Sequence, residues 1–490
     1  MLPPASSPRR PPEQPPPQGA VRNIAFTYAA TALDLIYLGT TVLIFPRIAD
    51  KTIFAEYRIL VLYAGYAGFL HLGLLNGFYL ESLHSDSLMA KLALFRKARR
   101  LLIVLLLILA PLGIIAFRFL NPTSSATTTV ALILSWLLLN GQTLHNYSSQ
   151  AQGRFERFFA YNCIGRCAGL LLVAIIAFCR DTTTLTLACS FLLPTAVSVA
   201  AAEVLSKRDS SRACARSEPA ERNVSIALQW KSCAHLYAAN VFATLALSTD
   251  KIVIASQFAR RIFADYSFAF SLSSLVLYAG DGMATATLPL LLRKIENEKH
   301  WKQSHAVWLF LYWVAPFICW PAEIFIRRWY AGYLTCIPFL MCFSATLPAI
   351  IYCKAYCGSA AIASRTSHLQ SRVNLMGLAA ALIGIAAARY YSRDPLVMCG
   401  AWCIAILVWA VLCSWRLGKG ADDRAKAGLH VGLGNVICSA GAFGLGCYIS
   451  RYGFLAGGLA HAAIAGAGIF LFSRFMRETR PSTEGAGSYS

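Results

Sequence analysis

Apolar residues fall along the chain in blocks of about 20, separated by short polar segments. The block LLIVLLLILAPLGIIAFRFL at 101–120 is typical. A helix of that length crosses roughly 30 Å of hydrocarbon. The blocks are continuously apolar and do not alternate, which favours helices over a membrane β-barrel. Because lipid offers the backbone no hydrogen-bond partners, such spans must be helical. The pattern therefore predicts an all-α polytopic membrane protein.

We predict fourteen transmembrane spans, within a range of 12–14 helices for the fold. They cover 24–45, 58–80, 101–120, 127–149, 159–179, 183–204, 225–257, 267–291, 306–326, 333–358, 373–389, 395–415, 429–450 and 453–473. Span 7 is long enough to predict that it bends or tilts.

The composition agrees with this interpretation, and the distribution of basic residues predicts how the chain is oriented in the membrane. The 490 residues are 57% hydrophobic and 14% charged, with mean hydropathy +0.54. Basic residues concentrate on the side of both termini, in the loops 81–100, 206–223, 293–305 and 416–428. The positive-inside rule then predicts that both termini are cytoplasmic. Anionic lipids account for the net charge of +21, so we expect no nucleic-acid partner.

An internal repeat divides the chain. IFAEY at 53–57 returns as IFADY at 262–266, Arg22-Asn23 returns as Arg222-Asn223, and Asp50-Lys51 returns as Asp250-Lys251. Six spans separate the copies, so the two units run in the same direction and form parallel lobes.

The repeat leads to a domain division. It comprises a Pro-rich disordered cytoplasmic tail (1–20), an N-lobe (21–205), a basic linker (206–223), a C-lobe (224–415), two extra C-terminal helices (429–475) and a cytoplasmic tail (476–490).

The segments around these landmarks resemble a known family. FAEY leads into span 2 and is followed by LHLGLLNG; the second half has STDKIVIASQF, FADYSFAFSLSSLVL and TLPLL, ending near Pro289. The chain thereby resembles the polysaccharide-biosynthesis (Wzx-like) branch of the multidrug/oligosaccharidyl-lipid/polysaccharide superfamily. His71 stands where that family usually has Asp. The resemblance implies a flippase that moves an undecaprenyl-diphosphate-linked oligosaccharide to the outer leaflet by alternating access. It also implies a partnership with polysaccharide polymerase or export machinery.

Ionisable residues inside spans are costly and indicate function. Asp34, in the middle of span 1, is the candidate ion-coupling residue because a buried carboxylate favours a proton or a bound cation. The candidate substrate-binding residues are polar or charged side chains within or at the ends of spans: Arg166, Lys231, Lys354, His71, Asn140, Gln142, His145 and Asp281. The three basic ones predict a cationic vestibule for a diphosphate in the cytoplasmic half. Snorkelling to headgroups and interhelical hydrogen bonds are the alternatives.

Other chemistry is not indicated. Nearly all of the 16 cysteines lie in spans, as in Cys163/Cys167, Cys353/Cys357 and Cys399/Cys403, which predicts packing with neither disulfides nor a metal site. The outer loops are short, no P-loop is present, and we expect no cofactor and no enzymatic activity.

The segment 87–100 predicts a helix on the inner surface, held by anionic lipid. Within transporters, a cation-coupled multidrug (MATE) exporter and a lipid II flippase are the alternatives. A lipid II flippase is less favoured because this chain lacks a cluster of basic residues in spans 1 and 2, and span 1 has none in its core.

Overall fold

The computed structural model describes residues 20–85, 88–180, 182–214, 226–294, 307–363, 366–420 and 423–478. These residues are helical apart from short connections, and none of them is in a strand. The helices are α1 Ala20–Ile48, α2 Lys51–Ala64, α3 Leu74–His84, α4 Leu88–Leu120, α5 Ala126–Ala151, α6 Phe155–Cys179, α7 Thr184–Cys214, α8 Ile226–Ala246, α9 Thr249–Gln257, α10 Arg260–Lys294, α11 307–314, α12 Cys319–Trp329, α13 Ile337–Ile351, α14 Cys357–Ala363, α15 Ser367–Tyr391, α16 Pro395–Gly420, α17 Asp423–Ile449 and α18 Phe454–Glu478. Short 3₁₀ turns cover Gly65–Phe69, Ala315–Ile318 and Ala331–Cys336, and a π-helical turn covers Tyr352–Tyr356.

The chain is a multi-pass membrane protein, as predicted. Nine helical segments of the described residues are long and apolar enough to cross a membrane, and two bent helix pairs raise the number to 11. Helices α5, α10 and α18 coincide with the other three predicted spans, although none of the three meets the same criterion of length and hydropathy. Large apolar side chains face outward, among them Leu107, Phe119 and Phe178. Such a surface is suited to lipid.

Two of the spans are broken. The second consists of α2 and α3, which meet at a 55° bend, and the seventh consists of α8 and α9, bent by 44°. The bend predicted for span 7 is thereby confirmed, whereas the break in span 2 was not anticipated. At that break Leu72 and Gly73 adopt φ of 46° and 81°. The imidazole Nδ1 of His71 accepts a hydrogen bond from the Gly73 N–H at 3.1 Å.

Gly73→Ala is expected to lower the melting temperature, because a left-handed backbone costs a residue with a Cβ about 1–2 kcal/mol. Gly39→Ala is the matched control. It lies within α1, and an added Cβ there meets no atom within 4 Å. Alanine is the better helix former by about 1 kcal/mol, so this variant is expected to be neutral or stabilised. Thermal unfolding of both variants in detergent tests the difference, and equal shifts would contradict it.

The structure refines the repeat. The turn between α1 and α2 corresponds to the turn between α9 and α10, so Lys51 and Arg260 each begin the helix that carries IFAEY or IFADY. The pairing of Asp50-Lys51 with Asp250-Lys251 is wrong. Asp50 caps α2, accepting from Thr52 N–H at 2.7 Å, and this hydrogen bond holds the pKa of Asp50 below its usual range. Asp250 instead lies in the first turn of α9, inside the bundle.

We call α1–α7 the N-lobe and α8–α16 the C-lobe. Between the lobes, α2 and α1 pack against α10, and α3 packs against α8. The end of the bundle at which α1 meets α2 is called the Lys51 end.

The helix predicted on the membrane surface at 87–100 is the first part of α4, which continues without a break to Leu120. The surface helix is therefore not a separate element.

Candidate functional site: a cationic cavity between the lobes

A cavity of about 310 Å³ lies between the lobes. Its N-lobe wall comes from α1, α2 and the 3₁₀ turn after α2. Its C-lobe wall comes mainly from α10 and from the bend between α8 and α9. The lining residues are Leu38, Arg58, Val61, Leu62, Gly65, Tyr66, Thr244, Leu247, Ser248, Lys251, Phe263, Ser267, Phe270, Ser274, Leu277, Tyr278, Ile350 and Lys354. Both broken spans thus border the cavity, as discontinuous helices border transporter sites in general.

Arg58 brings a guanidinium to the N-lobe wall. It follows IFAEY by one residue and sits on α2, where the side chain is half-buried. Its Nε is buried and has no hydrogen-bond partner among the described residues. A buried, unpaired donor on a charged group is costly, which favours an anionic ligand at this position.

Lys251 supplies the second charge, from the bend in span 7. Its ammonium donates to the carbonyl of Leu247 and lies 3.6 Å from the ring centroid of Phe270, a cation–π contact. The neighbouring Asp250 carboxylate is 3.9 Å away and 1% exposed, and it accepts a hydrogen bond from the Tyr266 hydroxyl. Lys251 therefore lines the cavity with a charge that the buried Asp250 carboxylate partly offsets.

Lys354 is the third basic residue and the one that sequence reasoning identified. It lies in the π-helical turn Tyr352–Tyr356, and its side chain is exposed. A π-turn widens the helix locally and often marks a functional position.

The cavity is cationic overall. The 18 lining residues, all within the described part of the chain, include three basic side chains and no carboxylate. Low-dielectric walls strengthen the field of such a cluster and attract anions. Serine and tyrosine hydroxyls at Tyr66, Ser248, Ser267, Ser274 and Tyr278 add neutral hydrogen-bonding groups.

At the Lys51 end, two reciprocal ion pairs join the lobes. Lys51 Nζ lies 2.5 Å from Asp265 Oδ1, and Arg260 Nε lies 3.1 Å from Glu56 Oε1. Lys51 corresponds to Arg260 in the repeat, and Glu56 corresponds to Asp265. Each basic residue thus pairs with the acidic residue of the other copy, as a two-fold contact requires. We call these two pairs the reciprocal closure.

Neighbouring residues support the reciprocal closure in the same two-fold manner. Thr335 of the C-lobe donates to Asp265 at 2.5 Å, and Thr128 of the N-lobe donates to Glu56 at 2.9 Å. Deeper in the interface, the Tyr66 hydroxyl bonds the Ser248 hydroxyl at 2.7 Å. Hydrogen bonds and charge pairs therefore hold the lobes together on this side of the cavity.

Asp34 and Arg166 form an ion pair with each other inside the N-lobe. The Arg166 guanidinium also lies over the Tyr37 ring, 5.2 Å from its centroid. Neither residue lines the cavity. The ion-coupling role of Asp34 and the substrate role of Arg166 stay predictions, and any cation at Asp34 has to compete with Arg166.

In the flippase that the sequence resemblance implies, Asp34→Asn is expected to lower transport several-fold while the protein still folds and inserts, because the neutral amide cannot exchange a cation against the guanidinium. Transport measured with and without an imposed proton or sodium gradient tests this expectation. An ion-coupling role requires that the variant lose the gradient dependence. Unchanged, gradient-dependent transport by Asp34→Asn would eliminate that role.

The other predicted residues are dispersed. Asn140 donates to the Ala67 carbonyl at 2.9 Å, Gln142 donates to Asn162 at 2.8 Å, and His145 contacts Glu203 at 3.3 Å, all within the N-lobe. His71 is buried beside the Tyr237 ring, 6.0 Å between centroids. None of these four lines the cavity. The side chains of Lys231 and Asp281 lie outside the described part of the structure.

Sequence reasoning did not identify Arg58 or Lys251 as site residues. A signal for Arg58 was present, since its charge follows IFAEY at the start of predicted span 2. No such signal was present for Lys251, because nothing in the sequence shows that the bend in span 7 brings it to the cavity.

Comparisons with known proteins identify the fold. No family model matches the chain, and no curated protein matches it in sequence. The chain shares its fold with solved membrane-protein structures, which confirms the predicted all-α polytopic architecture. One similar structure is the lipid II flippase MurJ in an inward closed conformation, with a TM-score of 0.66 and 12% identity, covering 94% of this chain and 100% of that chain. Another is the MATE multidrug transporter DinF-BH, with a TM-score of 0.53 and 12% identity, covering 85% of this chain and 99% of that chain.

Proposed function

We propose that the protein is a flippase for a lipid-linked diphosphate saccharide, which it carries across the membrane by alternating access between its lobes. The observation that carries the proposal is the cavity lined by Arg58, Lys251 and Lys354 without a carboxylate. Arginine binds phosphate oxygens in bidentate geometry and lysine adds a point charge. The hydroxyl groups of the cavity wall suit a sugar.

The charge of the cavity discriminates between substrates. A cationic drug entering it would meet three like charges, each of which disfavours binding in a low-dielectric site. This disfavours the alternative of a multidrug exporter. An undecaprenyl-diphosphate-linked oligosaccharide and lipid II share the diphosphate, so the cavity suits both. We favour the oligosaccharide, as implied by the sequence resemblance, with lipid II as the second candidate.

The reciprocal closure provides a gate in this proposal. With both termini cytoplasmic, the Lys51 end faces outward, and the two ion pairs close the cavity to that side. A cavity of about 310 Å³ is at the lower end of the roughly 300–1,000 Å³ of small-molecule sites, so an oligosaccharide requires the lobes to separate. Rocking would break both ion pairs together, since they are related by the two-fold repeat.

The proposal has consequences for the cell. The protein would lie in the bacterial inner membrane, load its substrate from the cytoplasmic leaflet, and deliver it to polysaccharide polymerase or export machinery. It would perform no catalysis, because translocation breaks no covalent bond.

Reconstitution tests the proposal. Proteoliposomes receive a fluorescent undecaprenyl-diphosphate saccharide, and an impermeant quencher reports the fraction in each leaflet. We expect protein-dependent exchange of this lipid and none of a cationic dye across the same vesicles. Dye transport without lipid exchange would establish the exporter instead. Comparison of lipid II with a lipid-linked oligosaccharide then decides between the two saccharides.

A further inference from the structure

Three cysteine thiols meet between two helices of the C-lobe. Cys342 lies on α13, and Cys399 and Cys403 lie one turn apart on α16. Their three Sγ atoms are all within 4.8 Å of one another. It is the one group of three potential metal ligands brought this close among the residues that the structure describes. We call it the thiol triad.

The geometry suits three-coordinate binding. A metal–sulfur bond of about 2.3 Å places the sulfurs of a planar trigonal site about 4.0 Å apart. The observed separations reach this value after small side-chain adjustments. Thiolates select soft ions such as Cu(I) and Zn(II). Zn(II) almost always takes four ligands in structural sites, and the group has three, which favours Cu(I).

The surroundings of the triad are apolar but include one cation. Cys399 is fully buried, whereas Cys342 and Cys403 are half-buried, so part of the triad is accessible from outside the helix bundle. Cys403 Sγ lies 3.5 Å from the Cys342 carbonyl, a weak contact that metal binding can replace. The Lys251 ammonium lies 5.8 Å from the ring centroid of Trp402, the residue next to Cys403.

We propose that the thiol triad of Cys342, Cys399 and Cys403 binds one Cu(I) ion, which links α13 to α16. Binding requires no redox step, because the ion enters as Cu(I) and each coordinating thiol gives up its proton to solvent. The nearby Lys251 ammonium offsets part of the negative charge that the thiolates acquire. The proposal does not rest on the proposed transport function, although Lys251 also lines the transport cavity, and it replaces the interpretation of these cysteines as packing residues alone.

Competition for Cu(I) tests the proposal. Purified, reduced protein is titrated with Cu(I) held by a chromophoric chelator, and X-ray absorption reports the ligands of the bound ion. We expect one tightly bound Cu(I) per chain with three sulfur neighbours. Cys399→Ala is expected to weaken binding by more than the roughly 10–100-fold that changes outside the first coordination shell typically cost. Cys413→Ala, a buried cysteine further along α16, is the matched control and should retain the tight site.

A second variant distinguishes the loss of a metal ligand from misfolding of the protein. Cys403→Ala removes a half-buried thiol and should also abolish tight binding, while thermal unfolding shows whether the apo-protein is intact. Cu(I) is expected to raise the melting temperature of the wild type and of Cys413→Ala, but not of the two triad variants. Tight binding that survives in a triad variant, or nitrogen and oxygen neighbours in the absorption spectrum, would overturn the proposal.

Discussion

Arg58→Gln is expected to lower the rate of lipid flipping by about 10- to 100-fold. A hydrogen bond to a charged group contributes about 1.5–3 kcal/mol, and roughly every 1.4 kcal/mol corresponds to a factor of ten. The glutamine keeps much of the side-chain volume and removes the charge that faces the cavity, so the substrate diphosphate loses its N-lobe partner. The proteoliposome exchange assay with the diphosphate lipid measures this directly.

Two further variants make the Arg58 prediction specific. Arg58→Lys keeps the charge but loses bidentate geometry, so its rate should lie between those of the wild type and Arg58→Gln. Arg96→Gln is the matched control. Arg96 is exposed on α4, away from the cavity, and its replacement should leave the rate unchanged. An Arg58→Gln protein that is folded and flips lipid at the wild-type rate would remove Arg58 from the site.

Asp265→Lys is expected to reduce flipping by roughly 100-fold, and the double variant Lys51→Asp/Asp265→Lys to recover most of the loss. The ion pair between these residues is largely buried, with the side chains 23% and 10% exposed. Removing one partner of a buried pair costs about 3 kcal/mol or more, and the introduced lysine adds repulsion. Because the pair exists only while the lobes are joined at the Lys51 end, the cost falls on that closed state and shifts the population away from it.

The second ion pair provides an internal control for the closure. Glu56→Arg should impair flipping as Asp265→Lys does, and Glu56→Arg/Arg260→Glu should recover it, since the two-fold repeat makes the pairs equivalent. Flipping rates of the single and double variants give the coupling within each pair. A double variant no faster than its slower single parent would contradict a gating role for the reciprocal closure.

The architecture could be predicted from the sequence because hydrophobic blocks and basic loops report it directly. The IFAEY and IFADY segments mark equivalent helices of the two copies, α2 and the start of α10. The role of their acidic residues could not be predicted. Glu56 and Asp265 pair across the lobes, and such partners are set by how the copies pack rather than by local sequence.

The site was predicted less well, for a physical reason. Polar residues in a span can face the cavity or a neighbouring helix, and periodicity alone does not distinguish these directions. Lys354, one of the predicted residues, does line the cavity. Asn140 and Gln142 have the same sequence signature but bond within the N-lobe. The break in span 2, which helps to position the cavity wall, falls at the positive φ angles of Leu72 and Gly73, and the hydropathy pattern does not show it.

Lipid selectivity in direct binding tests the central claim that the cavity recognises a diphosphate. Native mass spectrometry of the purified protein would compare undecaprenyl diphosphate, undecaprenyl monophosphate and undecaprenol at equal concentrations. We predict that the diphosphate binds best and the neutral alcohol worst, and that Arg58→Gln/Lys251→Gln abolishes the preference while Arg96→Gln retains it. Equal binding of all three lipids by the wild type, or a preference that survives in the double cavity variant, would contradict the account.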